Sequence, residues 1–166
     1  MRSRRTPAEA VLAEAAPVLL AYFLRRVAVA EDAADLVSET LAAVWKARRR
    51  MPGDAEAARM WCFGVARNVL LHHRRGGGRR DALIDRLRGA ISFAPPPVVT
   101  EDALAVREAV AALPDGLPEL VRLVHWDGFT VAEAAELLGI PASTARSQHA
   151  RAKSLLRDSL AERSSA

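Results

Sequence analysis

Gly139-Ile140-Pro141 constrains this chain more than any other short stretch. It parts two segments of helical period, so it must be a sharp turn, and Gly139 permits the left-handed backbone such a turn needs. Upstream, Thr130-Val131-Ala132-Glu133 is a capping box, in which the Thr hydroxyl and the Glu carboxylate serve opposite ends of one helical turn. Val131, Ala134, Ala135 and Leu138 then recur at i, i+3, i+4 and i+7, one face of a helix. Downstream, a helix beginning near Ala142 turns Ala145 and Ala152 inward, and the small Ala134 and Ala145 allow a close crossing. The spacing predicts a helix-turn-helix from Thr130 to Lys153.

The outward residues of its second helix are Ser143, Thr144, Arg146, Ser147, Gln148, Arg151 and Lys153, and no acid lies between Ala142 and Leu156. Arg and Gln form bidentate contacts with base edges, and the hydroxyls and Lys serve phosphates. A helical hairpin whose polar face meets only water is the bland alternative. Capping box, Gly turn, small crossing residues and an acid-free face coincide here, and together they favour DNA.

The rest of the chain reads as helix too. Ala, Leu and Arg dominate, and β-branched and aromatic residues are few. One helix is expected from Pro7 to Val29, kinked or split at Pro17, with Val11, Leu12, Leu19, Leu20, Phe23 and Leu24 inward. A second runs from Asp32 to Arg48, with Leu36, Val37, Leu41, Val44 and Trp45 on one face. Asp32, Asp35 and Glu39 line another, two of them in the first turn. A third spans Ala55 to Arg75, with Trp61, Val65, Val69 and Leu70 as core contacts, and Gly76-Gly77-Gly78 ends it. A short helix around Leu120 to Val124 stops at Asp127-Gly128. Phe93-Ala94-Pro95-Pro96-Pro97 cannot continue a helix and reads as an extended spacer. The expected fold is all-α, with two small helical domains: residues 1–82, a linker over 83–101, and residues 102–166.

Charge is unevenly spread. The net charge is +4, yet Arg59, Arg67, Arg74, Arg75, Arg79 and Arg80 follow one another with no acid between. Without those six, 18 basic residues face 20 acids. The positive balance thus sits in one stretch, half of it helical, which points to an anionic partner. A lone Cys62 forms no internal disulfide and fits a reducing cytoplasm. Glu14, Pro17, Arg25 and Arg26 interrupt the apolar run from Val11 to Val29, so neither a signal peptide nor a membrane span is expected. Cys62, His72 and His73 lack a fourth ligand at suitable spacing, so no metal or other cofactor is expected.

Three motifs carry a family resemblance: Asp35-Leu36-Val37-Ser38-Glu39-Thr40; Trp61 through Ala66-Arg67-Asn68; and Ala112-Leu113-Pro114 with Gly139 through Ser147. In this order, with a linker before the third, the chain resembles the small extracytoplasmic-function sigma factors of bacterial RNA polymerase. The resemblance covers nearly the whole chain. It implies a non-enzymatic factor whose first domain binds core polymerase and melts the promoter's minus-ten element, while the helix-turn-helix reads the minus-thirty-five element as duplex. Polymerase contacts are then implied at Asp32, Asp35, Leu36, Glu39 and Trp45, with Leu36 and Trp45 equally open to a place in the core. On the third helix the resemblance implies a base-edge role for Asn68 in a flipped-base pocket, and phosphate contacts for Arg67, His72, His73, Arg74 and Arg75. Trp61 and Phe63 are open to either base stacking or the core.

The pattern departs from the family at Ser38, usually Gln, and at His72, often Asp. Gln148 stands where Arg or Lys is common, and His149 where an apolar residue is usual. The last two lie on the reading helix, so the resemblance transfers no upstream-element sequence to this chain. An anti-sigma partner and a cytoplasmic location are implied, without membrane insertion. The competing reading is a stand-alone helix-turn-helix regulator, with the first half as a dimerisation domain and a palindromic site.

Overall fold

In a computed structural model, residues 7–77 and 100–164 are described, and every regular element among them is helical. The chain divides into two compact units, Met1–Ser92 and Phe93–Ala166. The expected linker lies outside the described residues except for its last two, as do Gly78, Arg79 and Arg80.

The first unit is built from α1 (Pro7–Leu24), α2 (Ala30–Lys46), a 3-10 turn (Arg48–Arg50) and α3 (Ala55–Gly77). Helix α1 is not split: it continues through Pro17, which is exposed with Ala13, so water can serve the carbonyl the ring deprives of its donor. Its buried residues are Leu19, Tyr22 and Phe23, whereas Leu20 and Leu24 of the expected stripe are 38% and 48% exposed. Tyr22 makes edge contacts with Phe23 and Phe63, with ring centroids 5.2 and 5.4 Å apart, joining α1 to α3.

Helix α2 starts two residues before Asp32, so its first-turn acids are Glu31 and Asp32, and Asp35 sits a turn further on. Its buried face is Ala33, Leu36, Thr40 and Val44, and Val37 and Leu41 are only half-buried. Thr40 tolerates full burial because its hydroxyl donates to the Leu36 carbonyl at 2.7 Å. In α3, the Asp54 carboxylate accepts from the Ala57 amide at 2.9 Å and opens the helix. Ala58, Cys62, Phe63, Ala66, Val69 and Leu70 are buried, and Trp61 and Val65 are half-buried.

The second unit contains α4 (Glu101–Ala111), α5 (Leu117–His125), α6 (Val131–Leu138) and α7 (Ala142–Ser164). Thr100 caps α4 by accepting from the Ala103 amide. Val110, Leu113, Leu117, Val121 and Ala152 form a buried cluster, with Val106 and Leu156 against it. Leu120, Leu123 and Phe129 are buried as well. At the far end of α7, Arg163 donates to Glu108 of α4 at 2.9 Å.

Candidate nucleic-acid interface

Helix α6 and the turn after it place α7. Glu133 accepts from the Thr130 amide at 2.7 Å, and the Glu133 amide donates to the Thr130 hydroxyl at 3.2 Å. Gly139 adopts φ 68 and ψ 33, the left-handed conformation its turn requires, and its amide bonds the Ala135 and Glu136 carbonyls. Ala134, Ala145 and Ala152 have no exposed surface. With Ala145 and Ala152 inward, helical geometry turns Ser143, Arg146, Ser147, Ala150 and Arg151 outward, and all five are exposed. Ser147 donates to the Thr144 carbonyl at 2.9 Å. Thr144 and Gln148 are half-buried on one flank, and Lys153 is exposed on the other. No acid lies in the first turn of α7, so the positive end of the helix is left for an anion. Ala150 was missed by sequence reasoning. It interrupts the polar stripe with a methyl group.

His149 stands apart from this stripe. Its Nε2 lies 3.0 Å from Nε2 of His125, the last residue of α5. Burial first, then His125 and Lys153, hold His149 below its ordinary protonation range.

On α3, Asn68 and His72 are exposed at i and i+4, with Arg75 exposed a turn beyond. Arg74 is exposed too, but its guanidinium donates to the Arg26 carbonyl at 3.4 Å and ties the end of α3 to the bend after α1. Arg67 and His73 are half-buried. Arg74 and Arg75 occupy the last turn, where the helix dipole favours cations. Phe63 is 2% exposed and unavailable for base stacking; it packs on Tyr22, with the Arg59 guanidinium 5.3 Å from its ring centroid. Cys62 is buried, and burial pushes its thiol up, away from the thiolate.

Helix α2 presents a separate surface. Asp35, Ser38, Glu39, Ala42, Trp45 and Lys46 recur at helical spacing and are all exposed, while Asp32 is half-buried. Leu36 is 2% exposed and belongs to the core, the alternative that its sequence position left open to a polymerase contact. Trp45 is 39% exposed, and Arg48 both stacks over it at 4.4 Å and donates to its carbonyl at 2.9 Å. Arg48, Arg49 and Arg50 form an exposed basic turn that sequence reasoning passed over, although three consecutive arginines after a helix were a visible signal.

Two family descriptions match the chain in order: Sigma-70 region 2 over residues 12–80, and Sigma-70, region 4 over residues 103–156. The ECF RNA polymerase sigma factor SigL of Mycobacterium tuberculosis is 31% identical over 138 residues, spanning 81% of this chain and 78% of SigL. The ECF RNA polymerase sigma factor SigF of Caulobacter vibrioides is 37% identical over 131 residues, spanning 77% and 71%. Among solved structures, the sigma factor RpoE in complex with the anti-sigma factor NepR from Bartonella quintana aligns with a TM-score of 0.68 at 24% identity, covering 90% of this chain and 93% of that one. CnrH in complex with the cytosolic domain of CnrY aligns with a TM-score of 0.66 at 21% identity, covering 93% and 88%. These two likenesses bear on the fold alone. A stand-alone helix-turn-helix regulator would account for residues 103–156 and leave the match over 12–80 unexplained. By both region matches and by its relatives, the chain belongs to the extracytoplasmic-function family of RNA polymerase sigma factors.

Proposed function

We propose that this chain joins core RNA polymerase and directs it to promoters that carry two separated elements. The observation that carries this reading is the pairing of two acid-free basic stretches, residues 59–75 of α3 and 142–156 of α7, each in its own compact unit. In this assignment α7 reads the minus-thirty-five element as duplex. Arg146, Ser147 and Arg151 stand at its centre, Ser143 and Thr144 at its leading end, and Gln148 and Lys153 on its flanks. Helix α3 holds the opened minus-ten element. Asn68 reads an unstacked base, and Arg67, His72, His73, Arg74 and Arg75 hold the backbone. The exposed face of α2, with Asp35, Glu39 and Trp45 and the half-buried Asp32, docks on core polymerase. Leu36 supports that face from inside.

The domain limits are residues 1–82 and 102–166, with 83–101 as the connecting segment. The factor supplies promoter recognition and carries out no chemistry itself. It works in the cytoplasm, where polymerase is, and among its described residues no helix is long and apolar enough to cross a membrane. A partner of the anti-sigma class would control it by covering the same surfaces, a reading supported by the two complexes to which its fold is similar.

The test is reconstitution. The full chain should co-elute with core polymerase and drive run-off transcription from a bipartite promoter selected from a randomised template pool. Failure to join core polymerase overturns the reading. Joining without transcription would make the chain a decoy.

A further inference from the structure

His125 and His149 lie on different helices and face each other. Their rings are within 20° of parallel, with centroids 5.2 Å apart and Nε2 atoms 3.0 Å apart. That centroid separation is close to the largest that the nitrogen distance permits. The rings therefore meet edge to edge, nitrogen to nitrogen, rather than face over face. A metal ion held by both nitrogens would need them side by side and aimed at a common point, so this arrangement suits a proton. Only one hydrogen fits on the line between them: one ring donates Nε2–H and the other accepts. A first proton, taken up at an outer nitrogen, leaves that bond intact and charge-assisted. A second protonation puts an N–H on both sides of the same gap, and the bond is lost.

We propose that His125 is a positioning residue for DNA reading: through one shared proton it clasps His149, fixes the pitch of α7 against α5, and releases it when both rings are protonated. This rests on the assignment of α7 as the duplex reader. His149 sits directly beside Gln148 and two residues before Arg151, so a change in its tether is felt where bases are read.

The neighbouring charges do not favour the doubly protonated pair. Lys153, one turn along α7, opposes it. Glu119 and Arg122 of α5 pair with each other at 3.9 Å, Glu133 of α6 is held by Thr130, and Glu108 of α4 binds Arg163. Glu136 of α6 and Arg146 of α7 are exposed, and Asp127 is buried just after α5. After burial, His125 and Lys153 are the charges that lower the protonation of His149.

The test uses holoenzyme made from core polymerase and the full chain, with a duplex recovered from a pool randomised in the upstream element. Between about pH 7.5 and 5.5, the wild type should lose several-fold of its discrimination against unselected duplex. His125→Gln keeps a neutral bond to His149 without titrating, so it should match the wild type at the higher pH and stay flat. His125→Ala should be reduced and flat throughout. Nitrogen-detected NMR of the free chain should show protonation of one ring felt at the other, with that coupling lost in His149→Gln. If His125→Gln follows the wild-type pH profile, or the rings titrate independently, the clasp is wrong. If no duplex is enriched, the assignment of α7 has failed instead, and the NMR titration still decides whether the clasp exists.

Discussion

Thr130 and Glu133 cap each other in both directions: the carboxylate takes the Thr130 amide at 2.7 Å and the hydroxyl takes the Glu133 amide at 3.2 Å. The carboxylate also holds the Thr130 hydroxyl at 2.8 Å. This pair sets the first turn of α6, and α6 carries Ala134 to its place in the core. Replacing Thr130 by Ala removes one acceptor and should cost about 1 kcal/mol of stability, while Thr130→Ser should cost much less. Urea unfolding of the full chain checks both. Equal losses from the two variants would show that the methyl group, not the hydroxyl, matters.

Leu36 and Trp45 lie on one helix and should separate cleanly in experiment. Leu36 is buried, so Leu36→Ala should destabilise the first unit by about 2–5 kcal/mol. Trp45 is 39% exposed, so Trp45→Ala should change the melting temperature little and weaken binding to core polymerase. Calorimetry and a pull-down with core polymerase make the distinction. A large melting loss in Trp45→Ala without a binding loss would return Trp45 to a structural role.

The two surfaces proposed to meet DNA should fail in different ways. Arg146→Ala and Arg151→Ala should each weaken upstream-element selection, by about 1–3 kcal/mol if the contact is bidentate to a base. Asn68→Ala should impair promoter opening, read by permanganate footprinting, while leaving closed-complex binding largely intact. Equal loss of opening and duplex binding in Asn68→Ala would remove it from a flipped-base role.

Stability should depend on pH through His149. Its titration is held below the ordinary value of 6.5, chiefly by burial and then by His125 and Lys153. In the window just below 6.5, the unfolded chain binds more protons at this site than the folded chain does. The stability its neutral form contributes is therefore complete above that window and lost as pH falls through the folded value. Thermal unfolding of the second unit should show this loss, and His149→Gln should reduce it. An unchanged pH dependence in His149→Gln would mean that other groups carry it.

The sequence by itself determined the helix-turn-helix, because its signals are local. A capping box acts across one turn, and a left-handed Gly acts at one residue. Thr130, Gly139, Ala145 and Ala152 stand in the structure as the sequence implied. Helix type and order in the first unit were likewise legible from period and breakers. Tertiary packing decided which apolar residues were used. Helical spacing allows Leu36, Val37, Leu41, Val44 and Trp45 to share a face, but the space against α1 and α3 admits a narrower strip, so Thr40 goes inside and Trp45 stays out. Tyr22 replaces Leu20 and Leu24 inside for a similar reason: its ring meets Phe63, which lies 41 positions away in the chain. Packing also decided His149. In the sequence it was only a departure from an apolar position, and its partner became visible once α5 brought His125 to its ring.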